Sequence, residues 1–189
     1  MKIIVGISGA TGAVYGVRIL EELKRKGVET HLVISDVGKK TIELETTYAV
    51  SEVESLATKV HNICNLAASI SSGSFRTDGM IIAPCSIKSL SAIANSFNTN
   101  LLVRAADVAI KEKRKLVLVV RETPLHLGHL RIMSMAAEAG AILLPPMPAF
   151  YHHPKTLDDL INQTVGKVLD QFNIDHDLFD RWQGTNNEK

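Results

Sequence analysis

The run Lys2-Ile3-Ile4-Val5-Gly6-Ile7 passes through Ser8-Gly9-Ala10-Thr11-Gly12 into an amphipathic stretch from Val14 to Lys26. No other part of the chain constrains the fold as strongly. The short apolar run, closed by glycines, reads as a buried strand, and the longer periodic stretch reads as a helix. Strand, tight turn and helix N-terminus then follow within a dozen residues. Such a unit turns backbone N–H groups and the positive end of a helix toward an anion. Gly9 and Gly12 permit unusual backbone angles and close approach, and Ser8 and Thr11 add side-chain donors. The turn departs from the dinucleotide-binding G-x-G-x-x-G pattern, because Ser8 stands at the second glycine. Taken alone, it is either an anion cradle or a tight turn with no ligand.

The same alternation continues along the chain. Thr30 to Ser35 predicts a second strand, followed by a helix from about Val37 to Glu45. Glu45 is unusual, because an acid at a helix C-terminus opposes the dipole. Ser51-x-x-Glu54 predicts a capping box, and a weak strand is expected near Val60 to Cys64. Ser69-Ile70-Ser71-Ser72-Gly73-Ser74 is a donor-rich loop, open to reading as a phosphate cradle or as an ordinary polar loop. Met80 to Ala83 predicts a buried strand that delivers Pro84-Cys85-Ser86-Ile87-Lys88 to a helix start, repeating the opening arrangement. A helix over about Asn100 to Lys113 places Arg104, Asp107 and Lys111 on one face, either as a solvated stripe or as a cationic wall. Leu116 to Val120 predicts the clearest buried strand, from which Arg121 and Glu122 emerge. A helix over about 127–139, a last strand over 141–144 and a proline-rich arm carrying Phe150 and Tyr151 come next. Thr156 then caps a final helix that ends near Phe172.

This pattern predicts an α/β fold: a three-layer doubly wound parallel sheet of five or six strands, Rossmann- or flavodoxin-like, in one domain over 1–183 with a polar tail over 184–189. The chain has 189 residues, is 46% hydrophobic and only 5% aromatic, which suits an aliphatic core buried between helices. A net charge of +1 gives no global basic field, so nucleic acid is not an expected partner. No apolar run approaches the roughly 20 residues of a membrane span. Two cysteines and no room for a leader before the first strand predict a cytoplasmic protein. Cys85 reads as a small buried residue. His126-x-x-His129 and His152-His153 do not have structural-zinc spacing, and no metal is expected.

Several stretches together resemble the UbiX-type flavin prenyltransferases, some of them long labelled aromatic-acid decarboxylases. They are Gly6 to Ala13, Ser72-Gly73-Ser74, Pro84 to Lys88, Arg104 to Val108, Leu116 to Pro124, Met147 to Tyr151, Val168 to Gln171 and Arg181-Trp182. The resemblance runs over nearly the whole chain in order. It implies an enzyme that binds reduced FMN, takes a dimethylallyl group from dimethylallyl monophosphate, and makes prenylated FMN for a UbiD-type decarboxylase without a metal. It implies FMN contacts at Gly9, Ala10, Thr11, Ser35, Ser86, Ile87, Lys88, Ser89 and Arg121. The prenyl-phosphate site falls on Tyr151 and Lys167, with Arg104, Lys111 and Glu122 nearby. Glu45 matches an acid acting with the Thr11 hydroxyl in proton relay. A homo-dodecamer of trimers is implied as well. Thr11 and Lys167 stand where many members carry serine and arginine, and Leu66 where some carry tryptophan. Two other readings differ in kind. An FMN-dependent cysteine decarboxylase would need a Pro-x-Met-Asn stretch where Pro84-Cys85-Ser86-Ile87 stands. A non-catalytic FMN carrier would not need Arg104, Lys111, Glu122 and Tyr151.

Overall fold

Strand β1 (Lys2–Ile7) pairs in parallel with β2 (Glu29–Ile34) on one side and with β4 (Gly79–Cys85) on the other. The sheet extends from this pair in both directions, through β3 (Lys59–His61) beyond β2, and through β5 (Lys115–Val120) and β6 (Ile142–Leu143) beyond β4. The order β3-β2-β1-β4-β5-β6, parallel throughout, is that of a doubly wound sheet. Its topological switch falls between β1 and β4, so the ligand crevice belongs at their carboxyl ends. The computed structural model describes residues 1–184. The predicted tail lies outside them except for Gly184.

Helix α1 (Ala13–Arg25) lies on β1, β2 and β4 with α2 (Asp36–Glu45) beside it. Ile19, Leu20 and Leu23 of α1 are fully buried, each contributing about 1.5–3 kcal/mol of transfer free energy. Helices α4 (Ile87–Ala94), α5 (Leu101–Lys111) and α6 (Leu127–Glu138) form the other layer. Ile4, Met80, Ile82, Leu116 and Leu118 point into it, packing against Leu90, Ile93, Leu102 and Ala105. Thus β1, β4 and β5 are buried on both faces, as their unbroken apolar runs predict. Gly16 sets how closely α1 approaches the sheet: a Cβ there would stand 2.3 Å from the Ala83 carbonyl oxygen.

Helix α3 (Val50–Ser55) corrects one expectation. Its cap is Ala49 rather than Ser51, and Glu52 Oε2 accepts from the Ala49 amide at 2.6 Å. Alanine has no side-chain acceptor, so only the backward half of a capping box forms, two residues earlier than the serine suggests. The predicted strands at 60–64 and 141–144 shorten to β3 and β6, the two sheet edges. Helix α7 (Leu157–Asp170) starts at the predicted cap, where Thr156 Oγ1 accepts from the Asp159 amide, and ends two residues before Phe172.

The chain divides into two compact units, Met1–Pro146 with the whole sheet and Met147–Lys189 with α7. Among the described residues no helix is long and apolar enough to cross a membrane. Buried between β2 and β3 is a pair that no local pattern announces. His31 Nδ1 lies 2.8 Å from His61 Nε2, and His31 Nε2 lies 3.1 Å from Glu29 Oε1.

Candidate functional site

Three helix N-termini gather at the carboxyl edge of the sheet, after β1, β2 and β4; serines cap the second and third, and the first is capped differently. Gly12 precedes α1 at φ 97°, a left-handed conformation that favours glycine and leaves the helix without a side-chain cap of its own. The missing acceptor comes from the far end of α2. Glu45 Oε2 accepts from the Gly12 amide at 2.7 Å and from the Ala13 amide at 3.2 Å. The acid that opposes the dipole of its own helix thus neutralises the positive end of another.

The Thr11 hydroxyl donates to the same carboxylate, and the Arg121 guanidinium contributes its charge. Burial pushes the Glu45 carboxyl up, but the bonds from Thr11, Gly12 and Ala13, with Arg121, outweigh it and hold the group below the usual carboxylate range. Glu45 is therefore ionised at neutral pH, a proton acceptor on a rigid mount with a hydroxyl in contact. Gly9 closes this turn against α2, since a Cβ there would collide with Val37 at 2.4 Å. The Ala10 side chain is partly buried beside it.

Ser8 is the main correction. It was expected to offer a donor to an anion, yet it is 1% exposed. Its hydroxyl donates to the Pro84 carbonyl at 2.8 Å and accepts from the Ser86 amide at 2.8 Å. Both capacities are used in pinning the end of β1 to the end of β4. It holds the two turns in register, and Thr11 is left as the turn's exposed hydroxyl.

The donors that remain lie on α2 and α4. Ser35 caps α2 by accepting from the Gly38 amide at 3.0 Å. Ser86 caps α4 by accepting from the Ser89 amide at 3.2 Å, and its own hydroxyl donates to Ser89 Oγ. Ile87 and Lys88 occupy the first turn of α4, where amides lack intrahelical acceptors and the dipole is positive. The Arg121 amide donates to the Cys85 carbonyl at 3.1 Å, which places the guanidinium-bearing residue beside the β4 turn. Cys85 itself is inert: burial pushes its thiol up to about 12.

The face of α5 serves a different loop. Arg104 Nε donates to the Ser71 carbonyl at 3.1 Å while its Nη1 pairs with Asp107 at 3.0 Å. The ion pair expected of a solvated stripe is present, and the same guanidinium also ties the serine loop to α5. Lys111 pairs with Glu112, and the two crowd Gly73, where a Cβ would stand 2.1 Å from Glu112 Oε1 and 2.9 Å from Lys111 Nζ. Arg114, which the sequence reading passed over, donates to the Gly73 and Phe75 carbonyls at 2.6 and 2.8 Å. Glu122 is exposed, with Oε1 accepting from the Thr123 amide. Among the expected histidines, His126 Nδ1 caps α6 by accepting from the Gly128 and His129 amides. Among the described residues no group of three His, Cys, Asp or Glu stands at metal-binding spacing.

In the second unit, Tyr151 presents its ring edge-on to Trp182, centroids 6.1 Å apart, and to His152 at 5.5 Å. Lys167 Nζ lies 3.6 Å from Asp170 Oδ2, one turn away on α7.

This arrangement has close counterparts. The family model described as Flavoprotein matches residues 1–163. The flavin prenyltransferase UbiX of Thauera aromatica is 70% identical over 184 residues, covering 97% of this chain and 95% of that protein. A crystal structure of AnUbiX (PadA1) in complex with FMN and dimethylallyl pyrophosphate superposes with a TM-score of 0.96 at 52% identity, covering 97% of this chain and 98% of that one. A dodecameric FMN-dependent UbiX-like decarboxylase from Escherichia coli O157:H7 superposes at 0.95 with 54% identity, covering 97% and 100%. The chain belongs to the UbiX family of flavin prenyltransferases.

Proposed function

We propose that this chain joins the dimethylallyl group of dimethylallyl monophosphate to reduced FMN, and that the Glu45–Thr11 pair on the first turn serves the chemistry while other donors hold the flavin phosphate. The observation that carries this division is the Glu45 carboxylate seated on the Gly12 and Ala13 amides. A phosphate dianion has no place at a helix N-terminus already neutralised by an ionised acid. Ser35, Ser86 and Ser89, with the first amides of α4 at Ile87 and Lys88 and the Arg121 guanidinium, are the set left for it. Gly9, Ala10 and Thr11 then line the flavin ring.

Reduced FMN supplies ring nitrogen five and ring carbon six as the atoms that take the prenyl group. Breaking the allylic C–O bond leaves negative charge on phosphate and positive charge on the allyl fragment. Arg104, Lys111, Lys167 and the Tyr151 hydroxyl stabilise the first, and the Tyr151 ring stabilises the second at ~1–2 kcal/mol for a desolvated cation over a π face. The second bond would consume the allyl double bond, which takes up a proton, passed on from ring nitrogen five by the departed phosphate, as the ring carbon gives one up; Glu45, kept ionised, would receive the latter, with Thr11 as the hydroxyl between them. Glu122 supplies a second carboxylate near the departing phosphate. Lys167 keeps the charge of an arginine without its fork.

The reading extends to a homo-dodecamer of trimers in the cytoplasm, with prenylated FMN passed to a UbiD-type decarboxylase. The test is to mix the purified protein with reduced FMN and dimethylallyl monophosphate without oxygen and to weigh the flavin. A flavin heavier by one prenyl unit is expected, and a flavin of unchanged mass refutes the proposal.

A further inference from the structure

Lys167 does not stand alone on α7. Asp170 lies one turn on, and the chain beyond the helix returns to the same face. Phe179 and His176 pack so closely on Gly166 that a Cβ there would stand 2.5 and 2.6 Å from their rings. The His176 side chain is fully buried, with Nε2 3.2 Å from Asp170 Oδ1. This packing delivers Arg181, whose two terminal nitrogens donate to the two Asp170 oxygens at 3.1 and 2.7 Å. Its guanidinium also lies 5.6 Å from the centre of the Phe179 ring.

One carboxylate therefore holds two cations, Lys167 at 3.6 Å and Arg181 in bidentate contact, with the Asp175 charge also within reach of Arg181. The two cationic side chains are 48% and 49% exposed, so both heads still reach solvent. Asp170 takes one fork of the guanidinium, and Nη2 also lies 3.2 Å from His176 Nε2, which leaves the rest of its five N–H donors. Tyr151 lies within the electrostatic reach of Arg181, and Trp182 meets the Tyr151 ring edge-on. An ion pair with no ligand to serve would be worth little at such exposure. A shared carboxylate that fixes an ammonium and a guanidinium beside a phenol instead gives a pre-set group of anion donors.

We propose that Arg181 binds the phosphate of the prenyl substrate together with Lys167 and Tyr151, Asp170 setting the spacing of the two cations and the guanidinium offering the N–H donors that Asp170 leaves. This rests on the assignment of Tyr151 and Lys167 to the prenyl phosphate. The test uses the FMN-loaded enzyme, wild type, Arg181→Ala and Arg181→Lys, with dimethylallyl monophosphate varied and inorganic phosphate as a separate probe. Arg181→Ala is expected to raise KM about tenfold, a loss of one charge-assisted contact, with kcat within about twofold and the flavin spectrum unchanged. Its affinity for inorganic phosphate, titrated calorimetrically, should fall in parallel, and Arg181→Lys should recover part of both. Unchanged KM and phosphate affinity in either variant overturn the inference. So does a matched loss of flavin binding and kcat that lysine does not rescue, which marks a structural role. If the wild type makes no prenylated flavin, the functional reading fails while the phosphate titration still decides the role of Arg181.

Discussion

Replacing Ser8 by alanine removes one oxygen and tests the clamp between the two turns. That oxygen is buried and makes two bonds of 2.8 Å, one given to the Pro84 carbonyl and one taken from the Ser86 amide. The Pro84 carbonyl keeps a second donor, the Ser8 amide at 3.2 Å, so its loss is partial. The Ser86 amide loses its acceptor at a half-buried position, which costs about 1–3 kcal/mol. For a chain of this length the melting temperature should fall by about 2–12 °C. The second effect is on function. Ser86 is the cap of α4, so freeing its amide lets the first turn of that helix move relative to Thr11. FMN affinity should weaken about tenfold, equivalent to ~1.4 kcal/mol. Thermal melting of the apoprotein and quenching of flavin fluorescence on titration measure the two separately. An alanine variant that melts with the wild type and binds FMN equally well would refute the clamp.

Arg104→Ala removes the anchor of the Ser71 carbonyl and a cation of the proposed phosphate site, but no proposed flavin contact. The variant should retain flavin by absorbance and lose prenylation by mass; loss of flavin instead would put Arg104 at the FMN phosphate. The His31–His61 pair makes stability depend on pH. Burial, then the charges of His31 and Lys59, drive His61 down to about 4 from 6.5. As pH falls from 6.5 to about 4, the unfolded chain takes up a proton that the folded chain refuses, so stability falls across that window. Melting temperatures should drop between about pH 7 and pH 5, and His61→Asn should flatten the slope; an equal slope in both proteins would assign the loss elsewhere. Gly16→Ala should destabilise by about 1–3 kcal/mol, because its Cβ would overlap the Ala83 carbonyl, and a denaturant midpoint at or above wild type would contradict that close approach.

The sheet was legible where strands are buried on both faces. β1, β4 and β5 read as unbroken apolar runs because helices cover each side. β3 and β6 were legible in place but not in extent: strands expected over 60–64 and 141–144 are three and two residues long, since so short an edge strand carries little pattern to fix its ends. Glu45 could be singled out as an acid at the wrong end of a helix, but its destination 33 residues back on α1 could not be. Ser8 misled because residue type announces a donor without naming its partner, and the partner lies 76 residues away. Arg114 escaped for a related reason, and Arg181 was marked only within a family motif: both look like solvated surface cations until the fold returns Gly73 and Asp170 to them. His31 and His61 meet only because parallel pairing sets Val33 opposite His61, so the two rings come together across β2 and β3.

The division of labour on the first turn is tested most directly by Glu45→Gln, loaded with FMN, reduced and exposed to dimethylallyl monophosphate without oxygen, with flavin mass read against bound flavin. Glutamine keeps an acceptor for the Gly12 and Ala13 amides but cannot take a proton. FMN should bind as in the wild type and prenylation should slow about 10²–10⁴-fold. Prenylation at the wild-type rate would contradict that division.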